Sequence, residues 1–322
     1  MKTALLALLI AASAAVSAQT HQTYPAKPVR IIVSYPPGGG VDMMTRMVAA
    51  KLTDTLGQTF VVENRGGASG TIGAAVVAKA EPDGYTLLAG GNPEITLMPH
   101  VMDKLPYDAL ADLVPLMQAA NVPSVVVAHP SLPATNLREV LDLARAKPGS
   151  LSYGTPGAGT PTHLAMEVLK AGAKVDIVHI PYKGGGPAVQ DLVAGQITLA
   201  VINAPPLMPH IRSGKLRALA VLNTRRSALL PDVPTVGEAA GIDRATSSAW
   251  FGFFAPAKTP ANVRRQLEDA LAKALLDPAL NARLLEAGME VAALPGERFS
   301  QLVREESAWH AELLRRFGAK PQ

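Results

Sequence analysis

Residues 29–57 contain the clearest indication of the fold class in the sequence. Val29-Arg30-Ile31-Ile32-Val33 is an apolar, β-branched run, and it is followed by Ser34-Tyr35-Pro36-Pro37-Gly38-Gly39-Gly40. Residues 42–56 then place apolar side chains on one face of a predicted helix, which ends at Gly57. A strand, a glycine-rich loop and a helix in this order are typical of the first part of a parallel α/β unit.

The same order recurs along the chain and predicts two α/β domains. Glycine-rich loops at 154–159 and 183–186 also follow short apolar strands and precede helical patterns. One more apolar strand near 250–255 and three helical patterns follow the second unit. We predict that this segment returns to the first unit, which gives one domain at 24–123 plus 248–322 and another at 124–247. Two strands crossing between them would form a hinge beside a cleft. A simple tandem of two domains with a C-terminal helical cap is the alternative.

Composition excludes several classes of protein. The chain has 322 residues, of which 48% are hydrophobic and 17% charged, so wholesale disorder is excluded. The net charge is only +4, and aromatic residues make up 4%. A nucleic-acid-binding protein usually carries a concentrated basic face, so no nucleic-acid partner is expected. Because there is no cysteine, disulfides and thiolate metal sites are excluded.

The N-terminus has the pattern of an export signal. Lys2 supplies a positive charge, residues 4–16 form an apolar run, and Ser17-Ala18 provide the small residues of a cleavage site. We expect residues 1–18 to be a signal peptide, cleaved after Ala18, and the mature protein to be periplasmic. A membrane anchor is the alternative, but an apolar run this short falls below the roughly 20 residues that a membrane helix needs.

The glycine-rich loops predict a site for an anion. The first N–H groups of a helix lack intrahelical partners and carry a partial positive charge, and glycine lets a ligand approach them. Asp42 is interpreted as the N-cap of the first helix, and Thr160 as the N-cap of the helix after the second loop. His163 either donates an N–H to a ligand carboxylate or is a structural histidine. Asn203 ends the strand 199–202, where a cleft would lie.

Patterns for other chemistry are missing. No dinucleotide-binding fingerprint, P-loop, nucleophile elbow or zinc-protease motif occurs in the sequence. His163 and Glu167 are four residues apart, but the spacing suggests no third ligand, so no metal and no cofactor is expected. The lack of a catalytic set favours a binding protein over an enzyme. A hydrolase or isomerase on the same scaffold is the remote alternative.

Nine short runs, in order over nearly the whole mature chain, carry a family resemblance. They are Tyr24–Pro28, Tyr35–Asp42, Val61–Arg65, Pro82–Leu88, Tyr153–Gly159, His163–Ala165, Pro181–Gly184, Gly214–Ala220 and Leu230–Thr235. Through these runs the chain resembles the Bug-type receptors, which are the extracytoplasmic solute-binding proteins of tripartite tricarboxylate transporters. The resemblance implies a type II-like periplasmic-binding-protein fold that closes around its ligand.

The resemblance also implies a function and a set of site residues. It implies capture of a small organic anion, chiefly a carboxylate, for delivery to a membrane permease, and we expect a monomer. Presentation of the ligand to a sensor kinase is the alternative. Carried over by position, the ligand-binding residues are Tyr35, Pro37, Gly39, Gly40, Val41 and Asp42 from one domain, and Gly157, Gly159, Thr160, His163 and Asn203 from the other.

Two residues depart from the family pattern or vary within it. Many members carry aspartate near the position of Asn203, and the neutral amide here lowers the expectation of an amino-acid ligand. Glu94 lies in a region that varies in the family, and it would repel a second carboxylate if it faced the cleft.

Overall fold

The structure is a computed structural model that describes residues 24–158, 160–182 and 184–316. The predicted signal peptide lies outside the described residues. In chain order the strands are β1 (Val29–Val33), β2 (Phe60–Asn64), β3 (Thr86–Gly91), β4 (Leu113–Ala128), β5 (Ser152–Thr155), β6 (Val178–Pro181), β7 (Leu199–Asn203), β8 (Arg217–Val221), β9 (Ser248–Pro256) and β10 (Glu290–Pro295).

Helices alternate with these strands through most of the chain. They are α1 (Gly40–Leu56), α2 (Thr71–Ala78), α3 (Met98–Val101), α4 (Leu137–Ala146), α5 (Pro161–Ala173), α6 (Gly185–Val193), α7 (Met208–Arg212), α8 (Val236–Ala240), α9 (Ala261–Leu275), α10 (Pro278–Glu286) and α11 (Gly296–Arg316). A 3₁₀ turn, Ala68–Gly70, precedes α2, and a π-helical turn, Pro93–Leu97, precedes α3. Among the described helices, none has the length and hydropathy needed to cross a bilayer.

Strand β4 is shared by two sheets. Residues 113–123 of β4 pair antiparallel with β9, and part of this stretch also pairs with β10. Residues 124–128 pair antiparallel with β7 and β8. The first sheet continues from β9 through β3 and β1 to β2, and the second continues from β7 through β5 to β6. The pairs β1–β2, β1–β3, β5–β6 and β5–β7 are parallel.

Both faces of the first sheet are covered. Alternate side chains of β1 point to opposite faces, so Ile31 packs with α1 and α9 while Ile32 packs with α2 and α11. Such two-sided burial explains why β1 is apolar almost throughout. The second sheet has separate clusters of buried side chains on its two faces, built around Val126 and Val127.

The chain passes between the two sheets at two neighbouring points. The first is within β4, between Pro123 and Ser124. The second is at the start of β9, where Ser248 pairs with Pro123 and the N–H of Ser247 donates to the carbonyl of Leu222. Strand β9 thus lies in the first sheet, between β3 and β4. The assignment of residues 24–123 plus 248–322 and 124–247 to two domains stays a prediction.

Candidate ligand-binding site

A cavity of about 830 Å³ lies beside these crossing points and is lined from both sheets. From the side of the first sheet come Tyr35, Pro36, Pro37, Gly38, Gly39, Gly40, Val41, Asn92, Pro93, Ala249 and Phe251. From the side of the second sheet come Pro156, Thr160, Pro161, Thr162, Gly185, Gly186, Asn203 and Ser247.

Three helices begin at this cavity. Helix α1 follows Gly39, α5 follows Thr160 and α6 follows Gly184, and the helices are 17, 13 and 9 residues long. The N-caps of α1 and α6 are glycines without a capping side chain. The first backbone N–H groups of a helix have no intrahelical partner, and its N-terminus carries about half a positive charge. An anion in the cavity would therefore meet backbone donors from three directions.

The polar side chains at the cavity are neutral. Among the described residues that line it, none is Asp, Glu, Lys, Arg or His. Asn203 accepts a hydrogen bond at its Oδ1 from the Ser124 hydroxyl, at 2.9 Å, and the Ser124 oxygen also lies 3.2 Å from that of Ser247. These contacts fix the amide of Asn203 at the end of β7.

Two aromatic side chains give the cavity an apolar wall. Tyr35 directs its hydroxyl to Glu94 Oε2, at 2.6 Å, so its ring is the part that faces the cavity. Phe251 packs against the start of α1, where a Cβ on Gly40 would lie 3.0 Å from Phe251 Cε2. Glycine at position 40 therefore allows this aromatic ring to approach the helix N-terminus.

Asp42 lies behind the first glycine-rich loop. Helix α1 begins at Gly40 with Gly39 as its N-cap, so the prediction that Asp42 is the N-cap is wrong. Its buried carboxylate accepts hydrogen bonds from the Gly38 N–H and the Asn64 amide, both at 2.9 Å, and pairs with Arg46. Although burial acts to raise it, these contacts lower the pKa of Asp42. Asp42 is not among the residues that line the cavity; it holds the loop that does.

Thr160 is the N-cap of α5, as predicted. Its Oγ1 accepts from the N–H of His163 at 3.4 Å and donates to the carbonyl of Gly157 at 2.7 Å. The ring of His163 stacks on His179, with centroids 3.9 Å apart, and its Nε2 lies 4.0 Å from Glu167 Oε1. Burial lowers the pKa of His163. His163 thus belongs to a polar cluster outside the cavity lining.

The cavity brings together most of the residues predicted to bind ligand. Seven line it: Tyr35, Pro37, Gly39, Gly40, Val41, Thr160 and Asn203. Asp42, Gly157 and His163 are not in the lining, and Gly159 lies outside the described residues. Five further lining residues are not predicted from the sequence as site residues: Asn92, Pro93, Ser247, Ala249 and Phe251. Gly185 and Gly186 belong to the third glycine-rich loop of the sequence.

A second cavity of about 640 Å³ adjoins the first. Both are lined by Tyr35, Pro93, Pro156, Thr160 and Pro161. Beyond this shared boundary the second cavity is largely apolar, and among the described residues that line the second cavity alone, the one titratable side chain is His100. Its apolar side chains are Leu97, Met98, Val101 and Leu314. Across the part of the chain that the structure describes, no group of three His, Cys, Asp or Glu could hold a metal ion.

Known proteins are similar to this chain in sequence and in architecture. Residues 44–319 match the family profile described as "Tripartite tricarboxylate transporter family receptor". The chain is 37% identical to Protein BugT of Bordetella pertussis over 98% of this chain and 97% of that protein. The chain belongs to this receptor family.

Solved structures of similar proteins agree with this family membership. "R. palustris Rpa4515 with adipate" is 33% identical, with a TM-score of 0.81 over 93% of this chain and 100% of that one. MatC from Rhodopseudomonas palustris with bound malate is 31% identical, with a TM-score of 0.76 over 90% of this chain and 100% of that one. The predicted α/β fold of the type II-like periplasmic-binding class is confirmed, as is the resemblance to Bug-type receptors.

Proposed function

We propose that this receptor captures a small organic carboxylate and delivers it to the membrane permease of a tripartite tricarboxylate-type transporter. The observation that carries the proposal is the meeting of three helix N-termini at a cavity without a charged side chain among its described lining residues. Backbone N–H groups and helix dipoles favour an anion, and a carboxylate fits them as an acceptor of several hydrogen bonds.

Hinge closure is the mechanism we propose for capture. The helix N-terminus of α1 approaches the cavity from the first sheet, and those of α5 and α6 approach it from the second. A ligand that contacts both sides favours the state in which both sides are close, because some contacts exist only there. The two crossing points between the sheets are the proposed hinge.

The relatives and the composition of the cavity support a receptor rather than an enzyme. Two related structures are named with adipate and malate, both carboxylates. The described lining of the larger cavity has no carboxylate or histidine to act as a general acid or base. Export by the predicted signal peptide would place the receptor in the periplasm, and we propose that it acts there without a cofactor.

The sharpest test places a negative charge in the cavity without changing the fold. Gly186 is the second residue of α6, and a Cβ there would meet no heavy atom within 4 Å. An aspartate near a helix N-terminus stabilises the helix by about 0.3–1 kcal/mol, so Gly186→Asp should fold. Its charge should repel a bound carboxylate and weaken binding by about 10- to 100-fold.

Gly186→Asn is the matched control, since it has the same shape without the charge. The mature protein is first screened by thermal shift against butyrate, hexanoate, succinate, adipate, malate and benzoate. Calorimetric titration of the acids that bind then compares the wild type with both variants. We expect binding to be weakened by about 10- to 100-fold in Gly186→Asp and kept within about threefold in Gly186→Asn. Equal affinity in the two variants, or no binding of any acid by the wild type, would contradict the proposal.

A further inference from the structure

Two carboxylates stand behind one wall of the cavity, one fully buried and one partly buried. The wall is the π-helical turn Pro93–Leu97 with the preceding Asn92, and Asn92 and Pro93 line the cavity. Glu94 lies within this turn and is fully buried. Glu306, from α11, lies against the same turn and contacts Asn92. Neither carboxylate reaches the cavity surface, so each acts on a ligand only through the wall.

Glu94 is held by hydrogen-bond donors. Its Oε1 accepts from the Ser34 hydroxyl at 2.5 Å and from the Gly91 N–H at 2.9 Å, and its Oε2 accepts from the Tyr35 hydroxyl at 2.6 Å. A carboxylate that accepts three hydrogen bonds is stabilised in its ionised form. Burial acts in the opposite direction and raises the pKa of Glu94.

Glu306 is held in the same way. Its Oε1 accepts from the Asn92 amide at 3.0 Å, and its Oε2 accepts from the indole N–H of Trp250. The nearest histidine nitrogen is His310 Nε2, 4.0 Å from Oε1. Burial lowers the pKa of His310 to about 4, so this ring is neutral at neutral pH. Burial also raises the pKa of Glu306.

Among the residues that the structure describes, no lysine or arginine neutralises the charge of these two glutamates. Within the described part of the chain, neither Glu94 nor Glu306 forms an ion pair with a lysine or arginine, whereas Asp42 beside α1 is paired with Arg46. The cavity therefore has a positive side, at α1, α5 and α6, and a negative side, at Asn92–Leu97.

We infer that Glu94 and Glu306 make this receptor selective for monocarboxylates with an uncharged body and against dicarboxylates. The inference rests on the proposed function and names its substrate class. The first carboxylate of a ligand binds at the helix N-termini. A second carboxylate would lie near Glu94 and Glu306, neither of which pairs with a lysine or arginine among the described residues, and their ionised forms would repel it more strongly inside the protein than in water. The uncharged remainder of a monocarboxylate instead contacts Tyr35 and Phe251, and the adjoining cavity offers it more apolar surface.

Hexanoate and adipate are the probes, because they share a six-carbon chain and differ in one terminal carboxylate. Calorimetric titration at pH 8, where both glutamates are most fully ionised, gives the ratio of their dissociation constants. We expect the wild type to bind hexanoate at least about tenfold more tightly than adipate. Glu94→Gln keeps the shape and removes the charge, and should reduce this ratio by about three- to tenfold. Glu306→Gln should reduce it in the same direction.

Glu305→Gln is the matched control, since Glu305 is the neighbouring residue on α11 and is exposed. It should leave the ratio unchanged. A ratio of two affinities is insensitive to any unfolded fraction in a destabilised variant. If the wild type binds adipate as tightly as hexanoate, or if the ratio is the same in Glu94→Gln and Glu306→Gln as in the wild type, the inference is overturned while the proposed function stands. If no acid of the thermal-shift panel binds the wild type, the proposed function fails as well.

Discussion

Asp42 and Glu94 occupy comparable places and have opposite electrostatic surroundings. Each lies in the first turn of a helical segment at the cavity, and each is almost completely buried, with 3% and 0% of the residue exposed. Asp42 is paired with Arg46, whose side chain is about half exposed, and its pKa is lowered. Glu94 contacts hydroxyl and N–H groups and pairs with no cation within the described part of the chain, and burial raises its pKa.

The difference shows that a buried carboxylate beside a ligand cavity can serve two purposes. Where an arginine neutralises it, as at Asp42, the carboxylate fixes the backbone of the loop and adds little net charge to the cavity. Where only hydroxyl and N–H groups contact it, as at Glu94, the carboxylate fixes the wall and also leaves its charge near the ligand. Neighbouring residues, rather than the residue type or its place in the helix, decide which applies.

The largest effect is expected when Glu94 is replaced by alanine. The hydroxyls of Ser34 and Tyr35 and the N–H of Gly91 would lose a common buried acceptor. Leaving buried donors unsatisfied costs about 1–3 kcal/mol for each group, so with three such donors we expect a loss of at least about 3 kcal/mol in the free energy of unfolding. Urea denaturation measures it, with Glu305→Ala as the exposed control. A loss below about 1 kcal/mol would mean that water replaces the carboxylate.

A smaller effect is expected for Asp42→Asn, which keeps the shape and removes the ion pair. The asparagine oxygen still accepts from the Gly38 N–H, and Arg46 is half exposed, so the free energy of unfolding should fall by about 1–2 kcal/mol at pH 7. The folded-state pKa of Asp42 lies below its usual 3.8. Its contribution is therefore complete above about pH 4 and is lost as the pH falls through the folded-state pKa.

Urea denaturation at several pH values tests this prediction. The difference between the wild type and Asp42→Asn should shrink as the pH is lowered from 5 toward 3. The pH dependence at Glu94 has the opposite sign. Because the pKa of Glu94 is raised by burial in the folded protein, the unfolded chain releases this proton more easily, and stability falls as the pH rises above about 4.5. Relative to Glu94→Gln, the wild type should therefore lose stability on going from pH 4.5 to 8. If the free energy of unfolding changed with pH in the same direction through Asp42 and through Glu94, the electrostatic difference between the two carboxylates would be refuted.

The sequence predicts one side of the cavity much better than the other. The loops before α1, α5 and α6 are local signals, since apolar strands, glycines and helical patterns follow one another within a few residues. The wall at Asn92–Leu97 has no such signal. The burial of Glu94 depends on Ser34 and Tyr35, which are 60 and 59 residues away and reach it through the β1–β3 pairing.

The first part of β4 and the whole of β10 are not predicted from the sequence, for related reasons. The first part of β4 contains Pro115, Gln118, Asn121 and Pro123, which weaken a β-strand pattern. The structure tolerates Pro115 where the β4–β9 register shifts, between Pro115 and Met117. Strand β10 is partly buried and irregular, so its residues lack a clear alternation. Ala249 and Phe251 line the cavity because β9 pairs with β3 and β4. The sequence indicates a strand here that returns to the first unit, but it does not give the register that brings these two residues to the cavity.

The smallest effect is expected for Tyr35→Phe, which separates the two roles of this side chain. The hydroxyl contacts Glu94 and the ring lines the cavity. Removing the hydroxyl should lower the free energy of unfolding by about 1 kcal/mol. It should leave the affinity for a monocarboxylate within about twofold, because the ring still faces the ligand. Tyr35→Leu removes the ring as well and should weaken binding further. Calorimetry on both variants measures these affinities. A large loss of affinity in Tyr35→Phe would show that the hydroxyl rotates toward the ligand on binding. The hydrogen bond from this hydroxyl to Glu94 would then have to break first.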